Sequence, residues 1–204
     1  MLVEHLGRKP RVHPTAFVAA NALLCGDVEV GEEARVLYGA QIVAEGGSIR
    51  IGRRCLVMEN AVVRSTAAFS TIIGPNTLIG PHAHLVGCTV GESVFIATGA
   101  AVFHGARLGN ESEVRINGVV HIRSFLPERK IVPIGWVAVG DPVEILPPSE
   151  HDRIWSIQKP LNFPLTVYGV ERREDASIMP EVMEKLSRIY GAHREDKVLS
   201  EEGD

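Results

Sequence analysis

The chain has few cysteines, and their spacing carries no recognisable motif. Cys25, Cys55 and Cys88 are the three that occur among its 204 residues, and no two of them form a Cys-x-x-Cys pair. Cys55 falls at a small, interior position of the repeat that is described below. A buried free thiol is therefore expected there, in preference to a redox role.

Strong charge and long apolar segments are also missing. The net charge is −4, which gives no electrostatic reason to expect nucleic acid or an anionic membrane as a partner. No apolar run approaches the ~20 residues that are needed to span a bilayer. The N-terminal segment MLVEHLGRKP is too short and too charged for a secretory signal. We therefore expect a cytoplasmic protein with no nucleic-acid partner and no membrane partner.

What the sequence does contain is a six-residue repeat of aliphatic residues. The leading positions are Val12, Val18, Leu24, Val30, Val36, Ile42, Ile51, Val57, Val63, Ile73, Ile79, Leu85, Val90, Ile96, Val102, Leu108, Val114 and Val120. The residue four positions later is mostly small, as at Ala22, Ala40 and Ala61. A fixed short period over about a hundred residues is typical of a solenoid, in which each unit buries its apolar face against its neighbours.

The six-residue period predicts an all-β solenoid, namely a left-handed parallel β-helix. Each hexapeptide is one short strand plus a corner, and three of them make a triangular coil of about eighteen residues. An α-helix is excluded because six matches neither its 3.6-residue period nor its i, i+3, i+4, i+7 stripe. Hairpins are excluded because turn signals recur too often for strands of usual length.

The repeat divides the chain into two parts. Residues 1–146 are predicted to form the β-helix domain, and its last coil is irregular. Residues 147–204 are predicted to form a C-terminal extension with helical segments and a charged, disordered tail, EDKVLSEEGD. The helical segments are a short helix around His151–Gln158 and an amphipathic helix over Ser177–Arg194. We expect the longer helix to pack on the prism or on a neighbouring subunit.

Three segments resemble one known family. VHPTAFVAANALLCGDVEVGEEARVLYGA, IGPHAHLVGCTVGES and VAVGDPVEI are similar to the γ-class carbonic anhydrase-like hexapeptide proteins, over roughly residues 10–146. The resemblance implies a homotrimer with a zinc ion between neighbouring subunits, held by three histidines, two from one subunit and one from the next. In that family zinc lowers the pKa of a bound water toward neutrality, and the hydroxide attacks carbon dioxide.

The residues at the family's ligand positions do not match that zinc site. The resemblance places the three histidine positions at Arg64, Pro81 and Val86, whose side chains do not coordinate zinc under ordinary conditions. The guanidinium of Arg64 would also repel a divalent cation. We therefore expect no cofactor at the usual site, and no carbon dioxide hydration by the usual mechanism.

A charge pair is the expected replacement for the metal. Arg64 occupies a former ligand position, and Glu59 lies one coil below Pro81, which the resemblance assigns to the neighbouring subunit. We predict an Arg64–Glu59 pair across the subunit interface, with Glu45 in support. Val86 leaves the rest of the former site largely apolar. A small-molecule ligand at this interface is a further expectation.

Nearby histidines leave two catalytic alternatives open. His82 and His84 can share a face and could hold a relocated zinc or other divalent metal, although the spacing supplies no third ligand. Alternatively, His82, His84 or His104 could be the base of a hexapeptide acyltransferase or acetyltransferase that uses a CoA thioester. HAHLVGCTVG resembles a segment of the lipid A-type sugar acyltransferases, but Gly87 occupies the position of their catalytic histidine.

A non-catalytic binding or scaffold protein is the third class, and the sequence favours it narrowly. QIVAEGGSIRIG resembles the equivalent coil of a small dynactin pointed-end subunit, which shares the fold and lacks the zinc ligands. A metal-free β-helix of this type can therefore serve as a structural partner. The sequence predicts a γ-carbonic-anhydrase-like homotrimer without the usual zinc site, and whether it is an enzyme stays open.

Overall fold

The structure is a computed structural model that describes residues 1–199, and its main part is a prism with three faces. Successive strands along the chain pass from one face to the next, so that three strands complete one coil. Strands of successive coils lie side by side on each face and are parallel. This is the left-handed parallel β-helix that the six-residue period predicts, and the fold class is confirmed.

The strands are short, and each face is one sheet. The first face has ten strands: Leu2–Glu4, Leu23–Cys25, Gln41–Glu45, Val62–Thr66, His84–Val86, Ala101–Val102, Val119–Val120, Val137–Val139, Glu144–Leu146 and Lys197–Leu199. The second has seven: Arg11–Val12, Val28–Val30, Ile49–Ile51, Thr71–Ile73, Thr89–Val90, Arg107–Leu108 and Phe125–Leu126. The third also has seven: Phe17–Val18, Arg35–Val36, Leu56–Val57, Leu78–Ile79, Phe95–Ile96, Glu113–Val114 and Ile131–Val132.

The leading aliphatic residues of the hexapeptides stack directly above one another inside the prism. Val63 lies opposite Ile42 on one side and opposite Leu85 on the other, and all three are fully buried. The residue that follows each leading aliphatic points the other way, because successive side chains of a strand alternate between its two surfaces. These following residues form an outward column, in which Arg64 lies opposite Val86.

Two α-helices follow the prism, where the sequence predicts them. Helix α1 spans His151–Gln158 and is followed by a 3₁₀ turn, Lys159–Leu161, and a π-helical turn, Pro164–Tyr168. Helix α2 spans Met179–Gly191 and leads into a second 3₁₀ turn, Ala192–Glu195. Over residues 1–199, the helices are all too short or too polar to cross a membrane.

The prediction of a disordered tail is wrong for the part that the structure describes. Glu195 ends the last 3₁₀ turn, and Lys197–Leu199 form a strand antiparallel to Leu2–Glu4. The tail is charged, but its backbone forms hydrogen bonds with the free edge of the first strand, which would otherwise face solvent. This pairing joins two distant parts of the sequence, so composition alone could not reveal it. Residues 200–204 of the predicted tail lie outside the described residues.

Two adjacent isoleucines test whether interior stacking stabilises the prism. Ile73 is 2% exposed and Ile72 is 47% exposed, on the same strand. We expect Ile73→Ala to lower the free energy of unfolding by about 2–5 kcal/mol, because it leaves a cavity in the core. Ile72→Ala should change it by about 0.5 kcal/mol or less. Urea denaturation of both variants measures the difference, and equal losses would contradict the assigned inward and outward faces.

Candidate functional site

A cavity of about 540 Å³ lies between the first face of the prism and the C-terminal extension. The prism side of its lining includes Glu45, Arg64, His84, Val86, Phe103 and His104. The extension side includes Phe163, Val167, Tyr168, Leu186, Ile189 and Tyr190. Because most of these side chains are apolar, the few charged and imidazole groups among them determine what the cavity can recognise.

Arg64 is fixed in the cavity wall by contacts within its own chain. Its Nη2 donates a hydrogen bond of 2.8 Å to Oε1 of Glu45, on the neighbouring strand. The same nitrogen lies 3.4 Å from the hydroxyl of Tyr190, and the guanidinium carbon is 5.4 Å from the centre of that ring. The Glu45 carboxylate is buried, whereas the Arg64 side chain is 30% exposed. Part of the guanidinium is therefore accessible from the cavity.

The predicted site residues separate into two groups. Glu45, Arg64, His84, Val86 and His104 line the cavity, whereas Glu59, Pro81 and His82 are not among its lining residues in the described chain. Pro81 instead lines a surface groove of about 430 Å³. Within the chain Arg64 pairs with Glu45, and the supporting role of Glu45 at a subunit interface stays a prediction. The Arg64–Glu59 pair across a subunit interface stays a prediction, because the structure contains a single chain.

Two neutral imidazoles face the cavity. Burial lowers the pKa of His84, and the nearby charge of Arg64 adds to the effect. Burial also lowers the pKa of His104, with further contributions from His84 and Arg64. His104 is 7% exposed, and its Nδ1 has no hydrogen-bond partner among residues 1–199. A neutral imidazole with an unpaired nitrogen can accept a hydrogen bond or a proton, but this nitrogen is itself buried, so a molecule in the cavity reaches it only if the His104 side chain turns.

Gly87 leaves no room for the histidine that the lipid A-type acyltransferases have at the matching position. Its φ is +60°, and a Cβ built there would lie 2.5 Å from the Cβ of Phe69. A side chain at this position would therefore require both a strained backbone and a displaced loop. A histidine base in the cavity would therefore have to be one of the histidines in its lining.

A second cluster lies next to Glu45, and sequence reasoning missed it. His5, Cys25, His193 and Asp196 each offer one atom of a type that binds metals, and these atoms lie within 4.8 Å of one another. Over the residues that the structure describes, this is the one such group of histidine, cysteine or acidic side chains. The sequence offers one local sign of this cluster, namely that His193 and Asp196 are three positions apart. Both residues lie in a segment that was expected to be disordered or at a helix end.

Asp196 connects the two histidines of this cluster. Its carboxylate oxygens lie 2.6 Å from Nδ1 of His5 and 2.7 Å from Nδ1 of His193. The two imidazole rings are stacked, with 4.3 Å between their centres. Nε2 of His193 lies 3.0 Å from Oε1 of Glu45, the oxygen that also accepts from Arg64. Glu45 is therefore shared between the cluster and the cavity.

The ionisation of the cluster follows from its burial and its carboxylates. Burial raises the pKa of Cys25 to about 12, and the negative charges of Asp196 and Glu45 act in the same direction. Burial opposes protonation of His193, but hydrogen bonds to Asp196 and Glu45 outweigh it and raise the pKa of this residue. Without a bound cation, Cys25 is a thiol at neutral pH.

The three positions that the resemblance assigns to zinc ligands do not suit a zinc ion. The Arg64 guanidinium is a permanent cation that binds Glu45, and Val86 is a buried aliphatic side chain. Pro81 offers a saturated ring with no donor atom in its side chain. Zinc in proteins is held by sulfur, imidazole nitrogen or carboxylate oxygen, and these three side chains supply none of them.

Two curated relatives are similar to parts of this chain. Gamma carbonic anhydrase 1, mitochondrial, from Arabidopsis thaliana is 30% identical over 151 residues, which cover 71% of this chain and 53% of that protein. Carnitine operon protein CaiE from Escherichia coli K12 is 32% identical over 108 residues, which cover 53% of this chain and 55% of that protein. The chain thus spans about half the length of these curated relatives. No protein-family model matches it.

A solved structure agrees with the architecture. The hexapeptide transferase family protein from Anaplasma phagocytophilum superposes with a TM-score of 0.63 over 94% of this chain and 97% of that one. Its sequence identity of 24% supports the fold alone. Together with the six-residue register on three faces and the curated relatives, these findings establish the family. The chain is a γ-carbonic-anhydrase-like member of the hexapeptide-repeat proteins.

Proposed function

We propose that this protein is a non-catalytic member of its family, which binds a small organic molecule in the cavity between the prism and α2. The observation that carries the proposal is the Arg64 guanidinium, which occupies a former ligand position and is fixed by Glu45 and Tyr190. A cation held in this way favours an anionic ligand group, whereas it disfavours a bound metal ion. Carbon dioxide hydration at the family's usual positions is therefore not part of the proposed function.

The chemistry of the cavity limits the class of ligand. Its volume of about 540 Å³ falls within the range of about 300–1,000 Å³ that is common for small-molecule sites. Phe103, Phe163 and Tyr168 offer aromatic surface to an apolar body. The remaining donors of Arg64 can bind a carboxylate, sulfonate or phosphate group. The proposed ligand therefore combines an apolar body with one anionic group.

The proposed assembly is a homotrimer. Phe95, Ile116 and Ile134 are large apolar residues that line the same groove as Pro81 and are 39–65% exposed. A contiguous exposed apolar surface of this kind favours contact with another protein surface. Glu59 directly follows Met58, which lines this groove, so a neighbouring subunit docked there would approach Glu59. In this assembly the Arg64–Glu59 pair is an alternative to an anionic ligand at Arg64, because both would use the same guanidinium donors.

The proposed location is the cytoplasm. Cys25, Cys55 and Cys88 are all buried and free, and the buried thiol predicted at Cys55 is confirmed. Free cysteines are common in reducing compartments, where disulfides rarely persist.

Acyl transfer is the second candidate, because His104 is buried, neutral and has a free Nδ1. A histidine in this state could remove the proton of an acceptor hydroxyl or amine as that group attacks the carbonyl of a CoA thioester. The thiol of CoA would leave as the new ester or amide bond forms. This mechanism requires a CoA site next to the cavity, and binding of CoA is therefore the property that separates the two candidates.

Carbon dioxide hydration tests the proposed loss of the usual activity. We expect the zinc-treated protein to hydrate carbon dioxide no faster than buffer, because Arg64, Pro81 and Val86 supply no zinc ligand. Stopped-flow measurement of proton release with a pH indicator gives the rate. Any catalysed rate above that of buffer would contradict the proposal.

Anion binding in the cavity can be measured with 8-anilinonaphthalene-1-sulfonate, an aromatic sulfonate that fluoresces in apolar sites. We expect Arg64→Gln to weaken its binding about 10-fold or more, because a hydrogen bond to a charged group contributes about 1.5–3 kcal/mol. The matched control is Arg107→Gln. Arg107 also pairs with an acid, Asp141, and lies over an aromatic ring, Phe125, but it is outside the cavity lining. Equal affinities of the wild type and Arg64→Gln would refute this ligand assignment.

Thermal denaturation with acetyl-CoA separates binding from acyl transfer. A ligand at 100 times its Kd stabilises the native state by about 2.7 kcal/mol, which is a readily measured shift in Tm. We expect no shift at millimolar acetyl-CoA. A shift that is lost in His104→Gln, together with acyl transfer to an amine or hydroxyl acceptor, would instead establish the second candidate.

A further inference from the structure

The cluster of His5, Cys25, His193 and Asp196 brings together residues from both ends of the described chain. His5 follows the first strand of the prism, and Cys25 ends the strand of the next coil on the same face. His193 lies in the 3₁₀ turn after α2, and Asp196 immediately precedes the final strand. The antiparallel pairing of that strand with the first one holds the four side chains together.

The donor atoms of the cluster are those of a transition-metal site. Two imidazoles, one thiol and one carboxylate suit zinc and neighbouring divalent ions, whereas magnesium and calcium prefer sites made of oxygen atoms alone. The four atoms lie within 4.8 Å of one another. Tetrahedral zinc, with bonds of about 2.0–2.3 Å, separates its ligand atoms by roughly 3.3–3.8 Å. The side chains therefore need to shift by only about 1 Å to reach that geometry.

Glu45 has the position of an outer carboxylate that orients metal-binding histidines. Nδ1 of His193 faces Asp196, and its other nitrogen lies 3.0 Å from Oε1 of Glu45. Nε2 of His5 lies 3.8 Å from Oε2 of Glu45, and this buried oxygen has no hydrogen-bond partner in the described part of the chain. Histidines that bind a metal through one nitrogen commonly donate the other N–H to a carboxylate.

We propose that His5, Cys25, His193 and Asp196 bind one divalent transition-metal ion of the zinc type within a single chain. The imidazoles bind as neutral ligands through Nδ1, Asp196 binds through one carboxylate oxygen, and the Cys25 thiol releases its proton to solvent as the metal–sulfur bond forms. With four protein ligands the site is closed and structural. It is separate from the positions of Arg64, Pro81 and Val86, and it revises the expectation that the protein has no cofactor.

The metal would connect the C-terminal segment to the first two coils of the prism. His193 follows α2, which supplies Leu186, Ile189 and Tyr190 to the cavity wall. Binding would therefore also hold that wall in place. Because the ligands come from distant parts of the chain, loss of the metal should loosen the final strand before it affects the prism.

Cobalt(II) is the probe for this site, since a tetrahedral cobalt–thiolate complex has a charge-transfer band in the near ultraviolet. We expect the metal-free, full-length protein to bind one Co²⁺ per chain with this band, and Zn²⁺ to displace it. Cys25→Ala should abolish the band and weaken binding at least about 100-fold. Cys88→Ala is the matched control, because Cys88 is also a buried free thiol on the prism but lies outside the cluster, and it should keep the band.

Two further variants keep the test decisive if Cys25→Ala does not fold. Asp196→Asn preserves the shape of the side chain but removes a ligand charge. Glu45→Gln removes the charge of the outer carboxylate, which also pairs with Arg64. We expect each to weaken Co²⁺ binding about 10–100-fold without changing the far-ultraviolet circular dichroism spectrum. A wild-type protein that binds no Co²⁺, a band that survives Cys25→Ala, or unchanged affinity in Asp196→Asn would each overturn the proposal. The proposed function is tested by sulfonate binding in the cavity, so a failure of the metal proposal can be told apart from a failure of the proposed function.

Discussion

The stacking of one aliphatic side chain per hexapeptide against the coils on either side is the interaction on which the rest of the structure depends. Ile42, Val63 and Leu85 show it most simply, because they lie in register and are fully buried. Because these interior contacts fix the backbone, the positions of the outward residues do not depend on which side chains they carry. The outward residue Arg64 can therefore differ in chemistry from its neighbours in the column without any change in the coil.

The parts of the molecule that were predictable from sequence are those with a local period. The six-residue repeat predicts the strands, their register and the outward column that contains Arg64 and Val86. The two helices were also predictable, from their flanking prolines and apolar stripes. The ion-pair partner of Arg64 was harder to predict, because the sequence offers both Glu45 and Glu59. Within one chain the partner is Glu45, since Glu45 lies on the strand next to that of Arg64.

The cluster beside Glu45 could not be predicted because its residues are far apart in the sequence. His5 and Asp196 are separated by 191 positions, and they meet only because Lys197–Leu199 pair with Leu2–Glu4. A charged composition suggested disorder for that segment, yet a free sheet edge offers hydrogen bonds to any backbone that can reach it. This strand pairing exists only once the prism has folded, and no short segment of the sequence predicts it.

The pairing of the final strand with the first also sets an order of events during synthesis. Each coil can fold on the one before it as the chain leaves the ribosome, because the interior contacts are between neighbours. The wall formed by α2 and the contacts of His193 and Asp196 must wait until residues 179–199 have been made. An interrupted chain would therefore be a well-packed prism with an open face. The cavity wall and the contacts of His193 and Asp196 would be the last parts to acquire their shape.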